Sequence, residues 1–294
     1  MTTTVPGEKK PVRAFDVILI SILGVLALIT VYPFYNVLIL SFSNIAAQAK
    51  HTPYMWFWAL DLEGYKTIVG DRFFFLSLGN TLFVTIGTAI NMLLSVAGAY
   101  VLSKKRLPGR NFLLTLVVIP MLFSGGMIPT YLVMKDYGLI NSIWSMILPW
   151  AVSSYYVIIM KNYFRSISPS LEEAAVIDGA GDLQILVRII LPISLPFTMT
   201  FLLFYAVERW NEWWNAYLYI NEKGLYPLQI YLREVLINMN NQLSLMAQIA
   251  SGKKVPAQSV QMGTIVITAL PILCVYPFVQ KYFVKGVMIG SIKE

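Results

Sequence analysis

Long apolar runs separated by short polar and basic stretches dominate the chain. They fall at 14–42, 73–102, 112–134, 143–163, 193–220 and 262–283. Each is close to or above the roughly 20 residues of helix that a hydrocarbon core of about 30 Å requires. Strands are excluded in these runs, because an open strand in lipid leaves its backbone polar groups unpaired. The pattern therefore predicts an all-α integral membrane protein with about six transmembrane helices, in a single domain over 1–294. The first run exceeds a signal-peptide core and lacks a small-residue cleavage pattern, so it reads as a retained helix.

Composition agrees with lipid as the solvent. The 294 residues are 57% hydrophobic and 13% charged, too little polar surface to cover a soluble globule. The net charge of +7 sits in short clusters between apolar runs and acts as a topology signal rather than a nucleic-acid footprint. Lys9, Lys10, Arg13, Lys104, Lys105, Arg106, Arg110, Lys161, Arg165, Arg188, Lys281, Lys285 and Lys293 fall on one side of the predicted arrangement. Fewer basic residues fall on the other, which predicts both termini in the cytoplasm. Cys274 and His51 are the sole residues of their types, so neither a disulfide framework nor a Cys/His metal site is available.

The predicted cytoplasmic segment 168–192, SPSLEEAAVIDGAGDLQILVRIILP, has its own helical grammar. Ser168 can cap a helix that Pro169 begins, since proline at the first helical position gives up only an unpaired N–H. Gly179 suits a left-handed residue at that helix's end, and a second short helix runs on to Pro192. Small side chains at Ala174, Ala175 and Ala180 permit close approach, while Glu172, Glu173, Asp178 and Asp182 supply charge. Composition alone leaves two readings, a docking knob or an ordinary amphipathic helix pair at the interface.

Glu173-Ala174-Ala175, three residues, Gly179, nine residues, Ile189, one residue and Leu191-Pro192 together resemble the EAA loop of permease subunits in binding-protein-dependent ABC importers. Phe123 to Tyr131, Trp210-Asn211-Glu212-Trp213 and the tail Tyr282 to Ser291 are similar to motifs of the carbohydrate-uptake branch. That branch includes MalG-like permeases and, with greater similarity here, LplC/YtcP-like permeases, which are associated with complex oligosaccharides such as alginate or pectin fragments. The resemblance implies a type I ABC importer permease fold in the bacterial cytoplasmic membrane, with coupling helices seated in a cleft of the ATPase. Glu172, Glu173, Ala174, Ala175, Asp178, Gly179, Leu191 and Pro192 would form that coupling element. It further implies a second homologous permease subunit in a heterodimer, two ATPase subunits and an extracytoplasmic solute-binding protein, toward which the external loop 221–261 would reach. No G-x-x-x-x-G-K-[ST] run occurs in the chain, so no cofactor is expected on it; ATP and Mg belong on the partner ATPase.

Candidate pathway residues lie in two spans. Pro120, Gly125, Gly126 and Pro129 invite a break in the third, either as a packing kink or as a discontinuity lining a path. In the fifth, Glu208, Arg209 and Glu212 are ionisable groups at membrane depth, costly unless they face a cavity or one another. Read as one continuous helix, it places Glu208, Asn211, Glu212 and Asn215 on one face, where carboxylates and amides suit sugar hydroxyls and Trp210 and Trp213 offer rings for stacking. The alternative is an aromatic belt at the interface, with Arg209 neutralising a glutamate. Ser77, Thr81, Thr85, Thr88 and Ser95 form a softer stripe in the second span, readable as helix packing or path lining. From another class, a gradient-driven transporter or channel would use Glu208 and Glu212 as ion sites and need no docking loop.

Overall fold

The computed structural model describes residues 14–44, 53, 55–57, 60–240 and 257–291. Lys9, Lys10, Arg13, His51, Tyr54, Trp58, Lys293 and residues 241–256 of the external loop lie outside the described residues, as do the side chains of the Tyr282 to Ser291 motif. In chain order the helices are α1 (Ala14–Ser41), α2 (Glu63–Gly70), α3 (Arg72–Ser103), α4 (Arg110–Leu122), α5 (Met127–Asp136), α6 (Ser154–Ser166) and α7 (Pro169–Ile177). They continue as α8 (Asp182–Ile193), α9 (Leu195–Trp210), α10 (Trp214–Tyr219), α11 (Leu228–Asn240) and α12 (Ala257–Ser291). Among the described residues the only β pairing is an isolated antiparallel bridge between Ser43 and Leu60.

Three expected spans are broken. The run 112–134 becomes α4 and α5, bent by 119° at Phe123 to Gly126. Gly126 sits at φ +88° there, a conformation glycine adopts without steric cost. Pro129 then falls in the first turn of α5, where its missing N–H has no intrahelical partner to lose. The run 143–163 is helical only in part: two 3₁₀ turns, Ile143–Met146 and Leu148–Trp150, precede α6 at 44°. The run 193–220 stops at Trp210 and restarts at Trp214. In contrast, α1, α3 and the stretch Gln258–Val275 of α12 are each long and apolar enough to cross a membrane unbroken.

The residues divide into two units, one of α1, the chain to Thr67 and the start of α12, the other of Ile68 onward with the rest of α12. In the first, Tyr65 donates to Ser41 Oγ at 2.9 Å and Ser259 to the Ser43 carbonyl at 2.9 Å. Most of α1 is apolar and exposed on every side, the signature of a helix whose surroundings are lipid or another chain.

The core of the second unit is a cluster of Met92, Val96, Ala99 and Tyr100 from α3, Val157, Met160 and Phe164 from α6, and Phe201 and Tyr205 from α9. In lipid such contacts hold helices by packing rather than by dehydration, so ring geometry matters. Tyr163 and Phe197 stack at 3.8 Å, and Tyr156 meets Phe201, Phe204 and Tyr205. The polar stripe on α3 is turned inward: Ser77, Thr81, Thr88 and Ser95 are buried. Ser95 bonds Tyr205 Oη at 2.6 Å, and Thr81 Oγ1 accepts the Leu228 N–H at 2.7 Å. These are interhelical bonds, the packing use of small polar residues.

Candidate functional site

The segment 168–192 forms a two-helix projection. Ser168 precedes Pro169, yet its hydroxyl meets Ser170 Oγ at 2.8 Å rather than a first-turn N–H, so the cap expected from sequence is not made. The stop is complete. Gly179 has φ +82°, its N–H donates to Val176 O at 3.0 Å, and the Ala180 N–H donates to Ala175 O at 2.9 Å. These are the two bonds of a Schellman motif, and they fix the angle at which α8 departs.

Within α8 the segment Leu186–Ile190 is π-helical, with the Leu191 N–H reaching Leu186 O. The widened turn precedes Pro192, whose ring disfavours a regular α-turn before it. At Ser194 the chain bends by 88° into α9, where Pro196 in the first turn again lacks a donor.

The projection's two surfaces differ. Val176, Ile177 and Leu183 are exposed, Ile177 at 86% and Leu183 at 72%, beside exposed Glu173, Ala174, Asp178 and Gly179. Its underside, Ala175, Ile185, Leu186 and Ile190, is buried in the α3/α6/α9 cluster. Ala175 is thus corrected: it cannot offer contact surface, because its methyl group closes the seam beneath the projection. Leu191 packs on the same cluster, and Pro192 is exposed at its edge.

Glu172 also faces the protein. It accepts a hydrogen bond from Lys104 Nζ, which lies 4.0 Å from the Tyr100 ring centroid at the C-terminal end of α3. Burial works against the Lys104 ammonium, but the bonds to Glu172 and Tyr100 outweigh it and hold its pKa above the usual lysine value. Lys104 had registered in the sequence only as a topology charge; its partner is 68 positions away, beyond any local pattern.

At the other end of α9 the helix stops at Trp210, and side chains bond around the break. Asn211 Nδ2 bonds the Val207 carbonyl at 2.9 Å, and Glu212 accepts the Asn215 N–H at 3.0 Å and Asn215 Nδ2 at 2.8 Å. The Asn211 N–H keeps its own bond to Val207 O, and Glu212 satisfies a first-turn N–H of α10 in the manner of a cap. The consequence corrects the expected face: Glu208 and Asn211 are exposed, while Glu212 and Asn215 are buried. Arg209, also buried, donates to Glu212 at 2.8 Å and to the Met146 carbonyl at 3.1 Å. Glu212 is therefore neutralised within the chain, as the aromatic-belt alternative required. Trp210 is buried and donates to the Thr268 carbonyl at 3.1 Å, so it is unavailable for stacking on a substrate.

Glu208 remains outward-facing, accepting a hydrogen bond from Tyr156, a residue unmarked by sequence. Trp213 is exposed, as are Gly125 and Gly126 at the α4–α5 break. The N-terminal end of α3 and α11 frame a cavity of about 250 Å³ lined by Asp71, Ser77, Lys223, Tyr226, Tyr231 and Glu234 among others. Of the residues marked in the sequence, Ser77 of the α3 stripe lines it, and the carboxylates and tryptophans of the fifth span do not. Tyr231 donates to Asp71 at 3.0 Å; burial first, then that bond, raises the phenol's pKa. Among the described residues no group of three or more His, Cys, Asp or Glu could hold a metal ion.

A broken helical bundle with an exposed two-helix projection has the form of a transport permease, and the family assignment agrees. The model for the binding-protein-dependent transport system inner membrane component matches residues 14–289, and the chain belongs to that family. It is 43% identical over 282 residues to the polygalacturonan/rhamnogalacturonan transport system permease protein YtcP of Bacillus subtilis (strain 168), covering 96% of this chain and 99% of that protein. Similarity to Protein LplC of the same organism is 42%, over 96% of this chain and 95% of that one.

Among solved structures, a chain of a bacterial ABC transporter involved in the import of the acidic polysaccharide alginate aligns with a TM-score of 0.87 and 33% identity, covering 95% of this chain and all of that one. The fold is therefore that of a type I importer permease, and the gradient-driven alternative gives way.

Proposed function

We propose that this chain is the non-catalytic transmembrane subunit of an ATP-driven importer for oligosaccharides, acidic ones such as pectin or alginate fragments being the favoured cargo. It would act beside a second, homologous permease, with two ATPase subunits on the cytoplasmic side carrying ATP and Mg, and an external solute-binding protein delivering sugar. Both termini would be cytoplasmic.

The observation that carries this reading is the projection itself. Its outer face exposes Ile177 and Leu183 beside Glu173 and Asp178, and its underside is buried in the core from which α9 rises. A partner closing on the outer face would push on a body that cannot yield independently of α3 and α9. Such a packed element moves between discrete arrangements rather than deforming continuously. The cargo proposal draws on the substrates named for YtcP and for the alginate importer.

The test is purification of the tagged protein from its native membranes in mild detergent, with mass spectrometry of co-purifying chains and an ATPase assay. A stoichiometric P-loop ATPase and a second EAA-containing permease are expected. Purification of this chain alone, without ATPase activity after crosslinking, would overturn the reading.

A further inference from the structure

Arg209 is the obvious cation for an acidic sugar in this span, but it is committed to Glu212 and the Met146 carbonyl. Arg233 on α11 is placed differently. Its guanidinium carbon lies 4.9 Å from the Trp213 ring centroid and 4.5 Å from that of Tyr217. Stacking engages the flat faces of a guanidinium and leaves the N–H edge for planar recognition of an anion.

Among the described residues no carboxylate lies within ion-pair distance of Arg233, and its Nη1 is enclosed without a hydrogen-bond partner. Arg233 as a whole is half-buried, so a small shift of its side chain opens that donor to an arriving acceptor, and a carboxylate can supply two parallel bonds.

The surroundings suit a sugar. Trp213, Trp214 and Tyr217 are all exposed, with Trp214 and Tyr217 stacked. Asn211 and Gln229 face each other at 3.5 Å, and Gln229 is one helical turn before Arg233. Their amides can donate to and accept from hydroxyls.

We propose that Arg233, framed by Trp213 and Tyr217, receives the carboxylate of an acidic sugar residue at the external end of the fifth span. The proposal rests on the carbohydrate-import reading and adds the charge discrimination which that reading lacked. A phospholipid phosphate has related oxyanion chemistry, but the exposed ring faces and paired amides favour a sugar.

The experiment uses the complete transporter, purified with its partner permease and ATPases and without the binding protein. Equilibrium binding of trigalacturonate is compared with binding of its fully methyl-esterified form, in detergent and in liposomes with and without anionic lipid. Arg233→Gln is expected to weaken trigalacturonate binding about tenfold while changing ester binding by less than about twofold, with Arg233→Lys between. Equal loss for both ligands would mark a structural role and overturn the proposal, as would no loss for either. An Arg233→Gln effect that appears only with anionic lipid would assign the site to a headgroup and also overturn it. A wild-type transporter that binds neither trisaccharide and imports no carbohydrate would instead sink the underlying import reading.

Discussion

The two-helix projection and the C-terminal end of α9 both carry acidic side chains next to apolar ones, and the chain uses them in opposite ways. On the projection, Glu173 and Asp178 point outward among exposed aliphatic residues, with no ion-pair partner among the described residues. At the end of α9, Glu212 is turned inward, consumed by Arg209 and Asn215. Acidic residues in a membrane protein therefore cannot be assigned a role by depth or spacing alone; the deciding observation is whether a partner exists in the same chain. By that measure Glu172 belongs with Glu212 although it sits beside Glu173.

Reversing the outward charge should have the largest effect. Glu173→Lys is expected to abolish ATP-driven uptake while leaving membrane insertion intact, as read by transport into vesicles and by protease protection; normal uptake would remove Glu173 from the coupling surface. Next comes Glu212→Ala, which strands Arg209 among buried groups. Breaking one partner of such a pair costs about 3–5 kcal/mol, visible as a lowered thermal midpoint in detergent. Arg209→Met combined with Glu212→Ala should recover part of it.

Glu172→Gln should be milder, lowering sugar imported per ATP hydrolysed a few-fold, with partial recovery in the charge-swapped pair Lys104→Glu/Glu172→Lys. Because the folded-state pKa of Lys104 is raised, its contribution is fully present below the unfolded lysine value. It is lost only as pH rises through the folded one, so stability difference between wild type and Lys104→Met should be flat from about pH 6 to 9 and shrink above about 10.4. The smallest effect is expected for Gly179→Ala, about 1–2 kcal/mol for a Cβ at φ +82°, with thermal unfolding as the readout.

How much of this was legible in sequence depended on range. The projection's start at Pro169 and stop at Gly179 are local decisions, written in residues a few positions apart, and the structure makes the turn with the bonds such a glycine allows. The same locality misled at Ser168, where a neighbouring hydroxyl was the better partner. In the fifth span, helical spacing put Glu208 and Glu212 on one face because nothing in the apolar pattern signals a break; the structure has one after Trp210, with Glu212 accepting a first-turn N–H of the helix that follows. Lys104 with Glu172 and Arg233 with Trp213 join distant segments, and no periodicity reports such pairs.

The π-helical turn at Leu186–Ile190 has a consequence for how this loop can change length. A π-turn holds one residue more than the α-turn it replaces, so α8 carries a surplus residue between the projection and α9. Deleting any one residue from that stretch would let the helix close into regular α geometry instead of unravelling. The excision would be absorbed where it is made, leaving the buried seam at Ile185 and the bend at Ser194 nearly in phase. Losing a residue from α7 ahead of Ala175, where there is no such slack, would swing every following side chain by about 100° and put Val176 where Ala175 now fits.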